Sequence, residues 1–110
     1  MEMQVGTECT PVCRIKHNGE EYSWMLQWRY EGMKHDKQTI SVCLKQANTG
    51  SGILMITNRV CLHRKLLQLW EMVASSISMH CSQDEFLGKS MASIPAEFIS
   101  AIEKNESASV

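Results

Sequence analysis

The sequence lacks any long hydrophobic run. No apolar stretch approaches the roughly 18 residues that a transmembrane helix needs, and the start, Met-Glu-Met-Gln-Val-Gly, lacks the basic-then-apolar order of a secretory signal. We therefore expect a cytoplasmic protein without a membrane partner. The apolar fraction of 44% and the charged fraction of 21% are ordinary for a globular chain of 110 residues, so we expect a single domain over 1–110.

The sequence also lacks a catalytic or cofactor signature. Residues 48–52 include two glycines, but not the lysine or the spacing of a nucleotide-phosphate loop. His80 and Cys81 are adjacent, and neighbours along a helix rarely face each other, while the C-terminal end of a helix disfavours a thiolate. We therefore expect a protein that is not an enzyme and that binds no cofactor.

The five cysteines are an odd number without a leader, which favours reduced thiols over a secreted disulfide framework. Zinc binding is the alternative, because thiolate and imidazole are zinc ligands. The spacings are not those of a tight ligand pair, so we expect no metal site and interpret Cys43 and Cys61 as small core residues, with Cys9 and Cys81 incidental. The zinc interpretation would use Cys9, Cys13, His17, Cys61, His63, His80 and Cys81.

Four segments alternate with the two-residue period of a β-strand or form a short apolar run. Asn18-Gly19 favours a type I′ hairpin turn after the first segment, and 31–36 and 48–52 are predicted to be the next two connections. The fourth segment is so apolar that we expect both of its faces to be buried. The predicted strands are 12–17, 21–30, 38–46 and 53–57.

The period then changes to three and four residues, which predicts one amphipathic helix over about 59–80. Ser82 and Glu85 have the spacing of a capping box at the start of a second helix. Pro95 fits the first turn of another short helix, because proline's missing N–H has no partner there in any case.

The predicted fold class is thus α+β. We expect a four-stranded antiparallel meander sheet over 12–57, covered by one long helix, with one or two short C-terminal helices, all within 59–103. We also expect residues 1–10 to be a loose lead-in and 105–110 to be a frayed tail.

The second predicted strand places an aromatic residue or a leucine at every other position, so these side chains share one face. Two interpretations are open for that face. It packs beneath the long helix as the floor of the core, or it is an exposed platform on which single-stranded bases stack. We favour the core. The residues concerned are Tyr22, Trp24, Leu26, Trp28 and Tyr30.

The order of four strands followed by a helix, over about residues 12–80, resembles the architecture of the single-stranded-DNA-binding transcriptional coactivator family called positive cofactor 4. The resemblance rests on element order, and no motif of that family matches these residues. The extra C-terminal helices and the mild acidity of the chain depart from it. It implies nucleic-acid binding without assigning a residue.

The net charge of −1 hides an asymmetry. Between Gly32 and Trp70 there are six basic residues and a single acid, Asp36, whereas acids dominate from Glu71 onward. The candidate residues for contact with a partner or with nucleic acid are Arg29, Lys34, Lys37, Lys45, Arg59, Arg64 and Lys65.

Our first functional hypothesis is a small non-enzymatic regulatory or accessory protein, of the type carried by viruses, phages and mobile elements, that binds a partner protein. The alternative is a nucleic-acid-binding module that uses the basic segment 34–65, with a role in transcription regulation. An open four-stranded sheet leaves unpaired edges, so we also expect a homodimer.

Overall fold

A computed structural model describes residues 10–17, 19–46, 49–50, 52–74, 78–79 and 81–108, with only the backbone described over most of 10–17 and at a few other positions. These residues form six strands and three helices. In chain order they are β1 Thr10–His17, β2 Glu20–Lys34, β3 Lys37–Gln46, β4 Thr49–Gly50, β5 Leu54–Ile56, α1 Arg59–Ala74, β6 Ser78–Met79, α2 Gln83–Ala92 and α3 Ala96–Ala108.

The predicted α+β class and the antiparallel sheet are confirmed. Three long strands, β1, β2 and β3, form successive antiparallel hairpins, and the short strands extend the edges in the order β4-β3-β2-β1-β6, with β5 also paired to β3. The first hairpin turns at Gly19, whose φ of 80° is the left-handed conformation that this turn needs. The second turns at His35 and Asp36, with φ of 52° and 63°. The predicted connection 31–36 is therefore too long, because β2 continues to Lys34.

The predicted fourth strand is shorter and less buried than expected. β5 covers only Leu54–Ile56 and pairs with β3 through Ile40 and Ile56. Ile56 is fully buried, but Met55 is 43% exposed, so burial on both faces is wrong. The reason is that helices cover one side of the sheet, and alternation turns every second side chain of β5 to the other side.

The single long helix is also wrong in its extent. α1 ends at Ala74, and Ser78 and Met79 form β6, which pairs antiparallel with β1. Residues 75–77 and 80 lie outside the described residues. The edge of β1 offers backbone groups that need hydrogen-bond partners, and β6 supplies them.

α2 begins as predicted, whereas α3 begins one residue after Pro95, which was expected in its first turn, and ends later than predicted. Ser82 Oγ accepts the Glu85 N–H at 3.1 Å, which confirms the predicted N-cap of α2. Pro95 directly precedes α3. The expected frayed tail from Asn105 is wrong over the described residues, because α3 continues to Ala108 and the Asn105 side chain is hydrogen-bonded.

The aromatic face of β2 is the floor of the core, as the favoured interpretation expected. Leu26 is fully buried and Trp28 is 3% exposed, while its indole N–H donates to Ser93 Oγ at 2.8 Å. Tyr30 packs near Phe98 of α3, with ring centroids 6.4 Å apart. Leu62, Leu66 and Leu69 of α1 complete the same cluster. The sheet face that was predicted to be covered by one long helix is therefore covered by all three helices.

Asn105 fastens α3 to the sheet where β5 ends. The Gln38 N–H donates to Asn105 Oδ1 at 2.8 Å, and Asn105 Nδ2 donates to the carbonyl oxygens of Gln38 at 2.8 Å and Thr57 at 2.6 Å. The last residue that β5 pairs on β3 is Ile40. The Asn105 amide thus serves Gln38 as a neighbouring strand would, which satisfies backbone groups at the sheet edge.

We predict that Asn105→Ala lowers the free energy of unfolding by about 2–4 kcal/mol, because three hydrogen bonds are lost and backbone groups lose their partner. Urea unfolding followed by tryptophan fluorescence measures the change. Lys104→Ala, at an exposed position on the same helix, is the control and should stay within about 0.5 kcal/mol. Equal effects of the two variants would contradict the role of Asn105.

We predict that Gly32→Ala destabilises the protein by about 1–2 kcal/mol, because Gly32 has a φ of 83° and an added Cβ would meet nothing within 4 Å. The whole cost is thus that of the backbone conformation. Gly88→Ala is the matched control, since Gly88 lies exposed inside α2 with equal space around it; this variant should gain about 0.5–1 kcal/mol. Opposite signs in the same urea titration are the expected result.

Candidate functional site

The side of the sheet opposite the helices, here called the open face, carries half-buried or exposed large side chains, while the smaller Thr39 and Ser41 between them are buried. Residues paired across an antiparallel ladder point to the same side. Arg29 pairs with Ser41, Gln27 with Cys43 and Met25 with Lys45, and Ser41 also pairs with Met55. Arg14 of β1 lies on the same side, because it pairs with Ser23. Among the described residues, the large side chains on this face are half-buried or exposed: Arg14, Met25, Gln27, Arg29, Glu31, Lys34, Lys37, Cys43, Lys45 and Met55.

A β-bulge reverses the alternation of β2 and extends the open face. The β2–β3 register shifts between Tyr30 and Gly32, after which Lys34 pairs with Lys37. Lys37 and Ser41 share a side, because they are four residues apart on β3. Simple alternation from Arg29 would instead have placed Met33 on this face. The extra residue therefore brings Lys34 onto the same side as Arg29.

The seven basic residues that the sequence singled out are divided between two sides of the molecule. Arg29, Lys34, Lys37 and Lys45 lie on the open face, and Arg59, Arg64 and Lys65 lie on α1, which packs against the opposite side. Along β3, the eight steps from Lys37 to Lys45 span about 26 Å at roughly 3.3 Å per residue. The open face is thus a long strip with basic residues at both ends and in the middle.

Acidic residues offset the basic charge on α1 more than on the open face. Arg59 forms an ion pair with Glu103 of α3 at 3.7 Å, and its backbone N–H donates to Glu106 at 3.3 Å. On the open face, Glu31 is the acid among the described side chains, and its Oε1 accepts the Ser41 hydroxyl at 2.7 Å. Asp36 lies in the turn at one end. The open face keeps an excess of positive charge.

A small cleft of about 70 Å³ lies at the rim of the open face. Its walls are Lys37, Thr57, Asn58, Asn105 and Glu106. Both amides are already engaged, since Asn58 Oδ1 accepts the Cys61 N–H at 2.7 Å and Asn105 binds the sheet edge. The cleft is therefore a seam between packed elements, and we assign no ligand to it.

The base-stacking interpretation of the aromatic strand requires exposed rings. Trp28 does not meet this requirement, because it is 3% exposed and lies on the helix side. Trp24 is half-buried on that same side and packs against the core. Methionines, by contrast, are exposed on several surfaces, including Met33, Met55, Met72 and Met91.

The cysteines do not behave alike. Cys43 and Cys61 are thiols, whereas Cys81 is disulfide-bonded, so the expectation of a reduced, incidental thiol is wrong at Cys81. Within the part of the chain that the structure describes, no group of three His, Cys, Asp or Glu side chains could hold a metal ion. Of the zinc interpretation's residues, Cys9 and His80 lie outside the described residues, as do the side chains of Cys13 and His17.

Three features of the open face were not predicted from the sequence. The bulge left only a weak signal, a glycine inside an alternating segment. The Ser41–Glu31 hydrogen bond left no signal in the sequence, because it depends on how β2 and β3 are aligned. Met55 was assigned to a buried strand and instead lies exposed on this face.

Among the described residues, no helix is both long enough and apolar enough to cross a bilayer. Comparison of the chain with protein-family models, with curated proteins and with solved structures found no match. The resemblance in element order to positive cofactor 4 gains no support from these comparisons.

We predict that Lys34→Glu raises the free energy of unfolding by about 0.5 kcal/mol at low ionic strength, because like charges directly opposite each other on a ladder repel. Urea titrations at low salt and in about 1 M NaCl test this, since screening should remove most of the gain. Lys34→Gln removes the charge alone and should gain less. If the two variants are equally stable at low salt, Lys34 and Lys37 are not neighbours.

Proposed function

We propose that this protein is a small non-enzymatic regulatory or accessory protein that binds an acidic, extended segment of a partner protein on the open face. The observation that supports this most is the placement of Arg29, Lys34, Lys37 and Lys45 on the one side of the β2–β3 ladder that the described helices leave uncovered. The packing of the core decides which side these positions face, but it gives no reason for basic residues at them. The pairing of Lys34 with Lys37 places two exposed like charges opposite each other, which costs stability.

The chemistry of the open face suits a protein segment with both acidic and apolar side chains. Met25 and Cys43 are half-buried and Met55 is 43% exposed, so apolar groups lie between the basic ones. Methionine has three rotatable bonds and adapts to irregular partner surfaces. An extended acidic segment would pair its carboxylates with the bases and place its apolar side chains on these groups.

Nucleic acid is the alternative ligand, because the same bases could bind phosphates. Sequence-tolerant binding of single strands also uses aromatic rings on which bases stack. The described aromatic side chains of β2, Trp24, Trp28 and Tyr30, point to the helix side. This difference favours a protein partner.

Fluorescence anisotropy with three labelled probes tests the proposal: a short peptide in which Glu alternates with Val and Thr, the same peptide with Gln for Glu, and oligo-dT. We expect the acidic peptide to bind at about 50 mM salt, and at least about tenfold more tightly than its neutral form. The double variant Arg29→Glu/Lys45→Glu should weaken this binding about tenfold or more, which corresponds to roughly 1.4 kcal/mol.

The control is Arg64→Glu/Lys104→Glu, which changes the net charge equally at two exposed positions on the helices. Its affinity for the acidic peptide should stay within about twofold of the unmodified protein. Equal losses in both double variants would show a non-specific effect of net charge and contradict the proposed face. Tighter binding of oligo-dT, lost in the open-face variant, would establish the nucleic-acid alternative instead.

A further inference from the structure

Most bases of the open face lie at the two ends of the β2–β3 ladder. Lys34 and Lys37 lie opposite each other beside the turn, and Lys45 lies eight residues farther along β3. Eight residues of an extended strand span about 26 Å. Arg14 of β1 lies toward the same end as Lys45, because of how β1 pairs with β2. An extended segment that runs along β3 would therefore meet bases at both ends of the ladder.

The middle of the open face differs from its ends, because it holds charges of both signs. Ser41, which is four residues from both Lys37 and Lys45, pairs with Arg29 across the ladder. The Cβ atoms of directly paired residues are about 4.5–5.5 Å apart. The hydroxyl of the same serine donates to the Glu31 carboxylate at 2.7 Å. A carboxylate of a bound segment over Ser41 would thus be attracted by Arg29 and repelled by Glu31.

The Glu31 carboxylate is held in this middle position by the fold. Its side chain is half-buried, and Ser41, which donates to it, is 1% exposed. A hydrogen bond to a carboxylate is stronger than one between neutral groups. Glu31 is also the extra residue of the β-bulge, because Tyr30 pairs with Ile40 whereas Gly32 already pairs with Thr39. The negative charge is therefore a fixed part of the open face.

We infer that the open face selects a segment whose carboxylates lie eight residues apart with an uncharged residue midway, and that Glu31 determines this selection. The inference rests on the proposed function, the binding of an acidic, extended segment. Such a segment has the same rise per residue as β3, so its residues i and i+8 match Lys37 and Lys45. Residue i+4 points to the same side and lies over Ser41, where Arg29 and Glu31 offset each other.

Fluorescence anisotropy at about 50 mM salt, with protein up to about 1 mM, tests the inference with two labelled peptides. Both are palindromic, capped at both ends and nine residues long, with Glu at the first and last positions. The middle residue is Gln in one peptide and Glu in the other. In the unmodified protein the middle carboxylate should change the affinity less than about twofold. In Glu31→Gln it should raise the affinity about threefold, because Arg29 is no longer offset.

Asp36→Asn is the control, because it removes one negative charge at the turn, and Asn tolerates the left-handed conformation found there, with φ of 63°. It should change the affinity for both peptides by the same factor. If the middle carboxylate has the same effect with Glu31 and with Glu31→Gln, the inference is overturned while the binding of acidic segments stands. If neither peptide binds, the proposed function fails and the inference fails with it.

Discussion

Trp28 is 3% exposed beneath the end of α2, with its indole N–H donated to Ser93, and the alignment of the β2–β3 ladder follows from that burial. A slip of one residue would move the whole apolar set of β2 into water. Because Leu26, Trp28 and Tyr30 are held on the helix side, the residues between them must face away. The position of the open face is thus a consequence of the core, whereas its basic charge is not.

Hydrogen bonds from α3 stabilise the sheet edge and the start of α1 in addition to the apolar core. Asn105 binds backbone groups of Gln38 and Thr57, and Glu106 accepts the N–H of Arg59 at the start of α1. α1 has no acid in its first turn, so α3 supplies the negative charge that a helix N-terminus favours. The last helix therefore stabilises both the sheet edge and the first helix, which explains why it does not fray at Asn105.

Local patterns predicted the parts of the structure whose causes are local. The alternation of β2, the turn at Gly19 and the cap at Ser82 follow from neighbouring residues, and all three were predictable. The end of α1 was not, because the apolar spacing continues past Ala74 while the partner of β6 lies far away in sequence. The same holds for Asn105, whose partners are Gln38 and Thr57. The basic residues of the candidate site were identified from the composition of the sequence. Their division between the open face and α1 could be seen only from the pairing of the strands in the structure.

The turn at His35 and Asp36 and the bulge at Gly32 respond differently to changes in chain length. A residue added to the turn would lengthen a surface loop and leave the ladder as it is. Removal of Glu31, the one residue between Tyr30 and Gly32, would abolish the bulge and leave Met33 and Lys34 on their present sides, because β2 would then alternate regularly against β3. It would also remove the carboxylate that accepts the Ser41 hydroxyl, so one deletion would raise the positive charge of the open face without altering any of its basic residues.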